Sequence, residues 1–128
     1  AAERAAAPPA GPIDARVLDE LRAVNPARGD RIVARAVGSF LSNTPSLLER
    51  LAKASAAGDP DGLHAAAHAL KSSAAHLGAH RLSAFARDIE QCGRDGRADD
   101  AAPLVGAALS EWDDVRAALA PLAAETPA

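Results

Sequence analysis

The chain has 128 residues, enough for one domain with a working core, and 48% of them are apolar, mostly alanine, with Phe40, Phe85 and Trp112 as its bulky aromatics. A net charge of −3, no basic block and so few aromatic rings exclude nucleic-acid binding. No signal peptide and no apolar run near the ~20 residues of a membrane helix occur, and lone Cys92 fits a reducing compartment without an internal disulfide.

In chain order, residues 1–12 form an Ala/Pro segment, read as a disordered linker or expression remnant and pointing to a domain cut from a longer chain. A short helix is expected from Asp14, with Ile13, Val17, Leu18 and Leu21 on one side. Asp30 is suited to cap a second helix carrying Ile32, Val33, Ala36, Val37, Phe40 and Leu41. The run "NTPS" places Thr44 as an N-cap with Pro45 at the first helical position. It starts a third segment through Leu47, Leu48, Leu51 and Ala54, joined to the second by a break or only a kink. Residues 58–62, "GDPDG", form a turn in which Pro60 opens a fourth helix reaching about Leu77, with Gly78 closing it. A fifth helix covers about 79–94, and "DGRADD" is the loop after it. The last helix, about 100–120, carries Leu104, Val105, Ala108, Leu109, Trp112, Val115 and Leu119, before a disordered tail at 123–128. No alternating strand pattern occurs. The expected fold class is all-α: an antiparallel four-helix bundle over residues 13–122 with an additional short N-terminal helix.

All four histidines fall in "HAAAHALKSSAAHLGAHRL", residues 64–82. In the fourth helix Leu63, Ala67, Leu70, Ala74 and Leu77 share a direction within ~40°, which makes them the core stripe. His68 lies ~140° from its centre and should face water, next to His64, Ala65, Lys71 and Ser72, with Ala75 one turn further on. Small neighbours let another protein approach the ring, so His64, Ala65, Ser72 and Ala75 are the candidate partner-binding patch. Twelve of the fourteen basic residues are arginine; of the two lysines, Lys53 and Lys71, one sits a single turn from His68. A neutral imidazole nitrogen is a nucleophile toward phosphorus, and a compact ammonium beside it would offset the added charge. The same residues also fit an exposed histidine without a role.

The spacing permits metal as well, since His64/His68 and His76/His80 are i, i+4 pairs. His76 points to the opposite side of the stripe from His68, however, and Gly78 interrupts the helix before His80. No Cys or carboxylate completes either pair in sequence, so no metal ligand is expected. Ser72 and Ser73 lack base partners for nucleophilic catalysis, and no glycine-rich phosphate loop occurs, so no ATP binding or kinase activity of its own is expected.

The stretch "AHALKSSAAHLGAHRLSAFARDIE" (67–90) resembles the signature of histidine-containing phosphotransfer (HPt) domains of multistep two-component phosphorelays. His68, Leu70, Lys71, Ser73, Leu77, Gly78 and Ala79 match its pattern, and the helix order over about 13–120 agrees. The resemblance implies that His68 is the phosphoacceptor and that Lys71 steadies the phosphoryl group. Ser72 stands where the family commonly has glycine, and it puts a hydroxyl into the partner's path. Glu90 stands where some members have a glutamine that holds the free imidazole nitrogen. Folding back at Gly78 brings Glu90 level with His68, ~80° off the Leu82–Ala86–Ile89 stripe. It is there either to orient the ring or as a solvated surface glutamate.

The implied function is a relay intermediate, not a turnover enzyme. A receiver-domain aspartyl phosphate of a response regulator donates to His68, which passes the group to another receiver. The domain itself binds no cofactor, and Mg²⁺ sits on the receiver. Residues 64–97 hold five bases and three acids, a locally positive segment suited to an acidic receiver face. A bacterial, cytoplasmic monomer is implied, free-standing or part of a membrane-bound hybrid sensor histidine kinase, without membrane contact of its own. The alternatives are a phosphotransfer-inactive helical interaction module and a His-rich metal-binding bundle.

Overall fold

The computed structural model describes residues 11–124, so most of the expected linker and tail lies outside the described residues. Among the described residues five α-helices follow in order: α1 (Ala15–Val24), α2 (Gly29–Ala57), α3 (Pro60–His76), α4 (His80–Arg94) and α5 (Ala102–Ala124). Short 3₁₀ turns at Pro26–Arg28 and Ala98–Ala101 lead into α2 and α5, and no strand occurs among the described residues. α2 to α5 form the bundle and α1 packs on α2.

The core is built as the composition requires. Leu51, Leu63, Leu70, Leu82, Ile89, Leu119, Val33, Val37 and Val115 are fully buried, and Phe40 meets Trp112 edge-on at 5.5 Å. Alanine supplies the rest, including Ala66, Ala67, Ala74 and Ala86 at zero exposure. Small side chains on facing stripes let helix axes approach, as between α3 and α4. A Cβ placed on Gly93 would lie 2.6 Å from the Pro60 carbonyl oxygen and 2.8 Å from the His64 nitrogen. Backbone rests on backbone there.

Two expected helix starts differ. Thr44 does not cap a new helix, because α2 runs unbroken through Pro45 for 29 residues. Phe40, Thr44, Leu48 and Leu51 continue one buried stripe at helical spacing, and a break would expose it. Pro45 points outward, where water can satisfy the carbonyl it leaves unbonded. Asp30 is likewise not the cap: it lies in the first turn of α2 and pairs with Arg22 at 2.9 Å. Gly29 packs directly on the Arg22 backbone, where a Cβ would come within 2.7 Å of the carbonyl oxygen, and this contact sets where α2 begins.

Asp14 does cap α1, accepting from the Arg16 backbone N–H at 3.0 Å. It also pins α1 to the α3–α4 turn. Its backbone N–H donates to the Gly78 carbonyl at 2.9 Å, and its carboxylate meets His80 Nε2 at 3.1 Å. Hydrogen bonding from the Arg16 guanidinium, opposed by desolvation, brings the Asp14 carboxyl down to about 2, with the Arg16 N–H and His80 helping. Gly78 closes α3 in the left-handed region (φ 81°), and a Cβ there would strike the Asp14 carbonyl at 2.8 Å. One glycine thus serves a helix end and a close approach.

Candidate functional site

The stripe reading of α3 places His68 correctly: its side chain is 64% exposed, whereas Leu63, Ala67, Leu70 and Ala74 are fully buried. Ala65, Ser72 and Ala75 are exposed around it and His64 is half-buried. The sequence left Glu90 between two roles, and the solvated one is wrong. Its side chain is only 4% exposed, enclosed between α3 and α4. Leu82, Ala86 and Ile89 bury the core face of α4, and Gly93 lets that helix sit so low on α3 that a carboxylate beside the stripe is covered. Ser83 adds a register contact, its hydroxyl donating to the Lys71 carbonyl at 2.9 Å.

Glu90 Oε2 lies 2.7 Å from His68 Nδ1, and Glu90 Oε1 accepts from Lys71 Nζ at 2.6 Å. Two further bases approach Oε2: His64 Nε2 at 3.6 Å and Arg94 at 3.7 Å. The Lys71 hydrogen bond, against desolvation and with help from His68, holds the Glu90 carboxyl below the usual glutamate value. It is therefore ionised at neutral pH and can only accept. The proton must then sit on His68 Nδ1, and in the neutral ring Nε2 carries the free lone pair. His64 and His68 lie nearly parallel (10°) with ring centres 6.2 Å apart.

Beside His68 an open groove of about 670 Å³ runs between α2 and α3. Phe40, Leu47 and Leu77 give it apolar lining, and Ser72, Ser73 and His76 polar lining. The buried Thr44 hydroxyl also lines it and has no hydrogen-bond partner among the described residues. Cys92 is buried in the bundle.

Sequence reasoning missed Arg94 and Gly93, and assigned His64 only to the partner-binding patch. His64 and Arg94 reach the Glu90 carboxylate, and only the i, i+4 spacing of Glu90 and Arg94 was a local signal for it. Gly93 gave no signal, since its importance lies in what the partner helix presents to it.

The histidine pairs do not come together as a metal centre. His80 pairs with Asp14 and His76 lines the groove. The carboxylate nearest His64 and His68 is already held by Lys71 and approached by Arg94, whose charges oppose a cation. Among the described residues no group of three or more His, Cys, Asp or Glu is arranged to hold a metal ion. Micromolar zinc is accordingly expected to move the melting midpoint by less than about 1 °C, because a ligand stabilises only when present above its dissociation constant. A larger rise in a thermal scan, lost on replacing His64 and His68, would instead establish a metal site.

The family model described as the Hpt domain matches residues 35–120 of the chain. Among solved structures, histidine-containing phosphotransfer protein B (HptB) from Pseudomonas aeruginosa PAO1 superposes with a TM-score of 0.82. The match covers 93% of this chain and 100% of that one, at 24% identity, so it is a likeness of fold. Comparison with curated protein sequences finds no match.

Proposed function

Since the chain belongs to the Hpt domain family, we propose that His68 is its phosphoacceptor and that the domain relays phosphoryl groups between receiver domains of response regulators. The observation that carries this reading is the His68–Glu90 contact. A buried carboxylate holds Nδ1–H and leaves Nε2, on an exposed ring, as the nucleophilic nitrogen. Nε2 attacks the phosphorus of a receiver aspartyl phosphate in line. The N–P bond forms as the P–O bond breaks, and the aspartate carboxylate leaves with the electron pair. Nδ1–H stays on Glu90 throughout. Passage to a second receiver is the same displacement reversed, with an aspartate oxygen attacking and Nε2 leaving.

Catalysis of this kind is mostly positioning and charge neutralisation, and Mg²⁺ belongs to the receiver. Lys71 is the ammonium nearest the reacting ring. Ala65, Ser72 and Ala75, with His64, form the small-residue surface on which a receiver can seat its active site. We place the domain in the cytoplasm of a bacterium as a monomer, alone or within a hybrid sensor histidine kinase. In support, no helix among the described residues is long and apolar enough to cross a membrane, and Cys92 is a free thiol.

The deciding experiment incubates the domain with a phosphorylated receiver and tests for an acid-labile, base-stable label. No label would favour a phosphotransfer-inactive interaction module. Lys71→Ala is expected to slow transfer on the order of tenfold, about 1.4 kcal/mol of transition-state stabilisation. Receiver affinity should change less, since a partly exposed charge contributes about 1 kcal/mol or below. Rapid-quench transfer and equilibrium binding measure the two separately.

A further inference from the structure

Glu90 is a carboxylate, and its charge has a consequence for the phosphorylated state that the orientation of the ring alone does not. An amide at this position could turn either its oxygen toward a protonated Nδ1 or its NH₂ toward a bare one. An ionised carboxylate can do only the first. With Oε2 2.7 Å from Nδ1, a phosphorylated ring that lost its Nδ1 proton would set its lone pair against those of an enclosed carboxylate. The second observation is that Glu90 already holds the lysine: Nζ lies 2.6 Å from Oε1, so an arriving phosphoryl group must compete for that ammonium.

We propose that the Glu90 carboxylate makes phosphohistidine at His68 a short-lived donor, by keeping the Nδ1 proton on the phosphorylated ring and by drawing Lys71 away from the phosphoryl group. This inference rests on His68 being the phosphoacceptor. Both effects act in one direction. A ring protonated at Nδ1 leaves as neutral imidazole when the N–P bond breaks. The electron pair goes to Nε2, and the new P–O bond forms to a receiver aspartate or to water. The ring ends in the tautomer from which it started, so no proton has to move during the cycle. Incomplete neutralisation by Lys71 raises the energy of the phosphorylated state further.

The charged groups facing this ring and its carboxylate are few. α3 supplies His64 and Lys71, and α4 supplies Glu90 and Arg94. The α2 wall of the adjoining groove contributes only uncharged residues, among them Ser39 and Asn43. His64 and Arg94 approach the same carboxylate oxygen at 3.6 and 3.7 Å, whereas Lys71 and His68 are the groups that hydrogen-bond the Glu90 carboxylate.

The test follows the decay of the labelled domain from pH 5 to 9 in the wild type and in Glu90→Gln. At pH 8 the wild-type label should decay about tenfold faster, a factor equivalent to about 1.4 kcal/mol. The difference should narrow as the pH falls and solution protons become available to both rings. Transfer to a receiver should slow in the variant over the same pH range. Equal lifetimes at every pH, or a longer-lived wild-type label, overturn the proposal and leave the phosphoacceptor assignment standing. A label absent from both proteins, or carried elsewhere than His68, overturns both. Should Glu90→Gln not fold, ¹⁵N shifts of the phosphorylated wild-type imidazole decide alone: Nδ1 protonated at pH 7.5 supports the proposal, and Nδ1 bare at that pH overturns it.

Discussion

With His68 replaced by Gln, labelling from a phosphorylated receiver is expected to vanish while the bundle stays folded. The ring is 64% exposed on α3 and contributes nothing to the core stripe, so its loss removes the proposed nucleophile without opening a cavity. The glutamine amide can still donate to Glu90, which keeps that buried carboxylate satisfied, and the stability change should stay near the ±0.5 kcal/mol typical of surface substitutions. The other three histidines are internal controls. His76 faces the groove and His80 holds Asp14, so His76→Gln and His80→Gln should both label. His64→Gln should label as well, because His64 meets the carboxylate only at 3.6 Å. Acid-lability and circular dichroism on the four variants separate lost chemistry from lost fold, and a label surviving in the His68 variant means the wrong nucleophile has been named.

Gly93→Ala carries the second large effect, and it acts at a distance from the reacting atoms. The added methyl would lie 2.6 Å from the Pro60 carbonyl oxygen and 2.8 Å from the His64 nitrogen. Both are backbone atoms in the first turns of α3 and cannot rotate aside as a side chain would. α4 must therefore lift from α3, at a cost of about 1–3 kcal/mol for overpacking. Glu90 lies one turn before Gly93 and would be carried off His68 and Lys71. Misplacement by about 1 Å can lower a rate by as much as 10²-fold, so transfer should fall at least tenfold even under conditions where the variant is fully folded. Gly106→Ala is the control, since a Cβ on that α5 residue meets nothing within 4 Å. It should gain the roughly 0.5–1 kcal/mol of alanine over glycine in a helix and transfer normally. Wild-type stability and rate in Gly93→Ala would show that the two helices have room to spare.

How far the sequence could be read depended on whether a signal was local. Leu63, Ala67, Leu70, Ala74 and Leu77 define a helix face by their spacing alone, and that face predicts the exposure of His68. Pro60 and Gly78 mark ends because their backbone preferences act within one turn. At Thr44–Pro45 local and tertiary signals conflict: the cap-plus-proline pattern argues for a start, but the apolar stripe continues across it and burial prevails. Glu90 shows the opposite limit. Its height and angle follow from helix geometry, yet whether it is wet or covered depends on the α3–α4 separation. That separation is set by Gly93, a residue with no side chain to announce it.

The pin between Asp14 and the Gly78 turn also fixes how the domain can be tethered. Gly78 lies ten residues beyond His68, about 15 Å along the helix axis. The described chain therefore enters α1 at the end of the bundle, away from the exposed ring of His68. A domain immobilised at that end would keep the His68 face of α3 turned to solution.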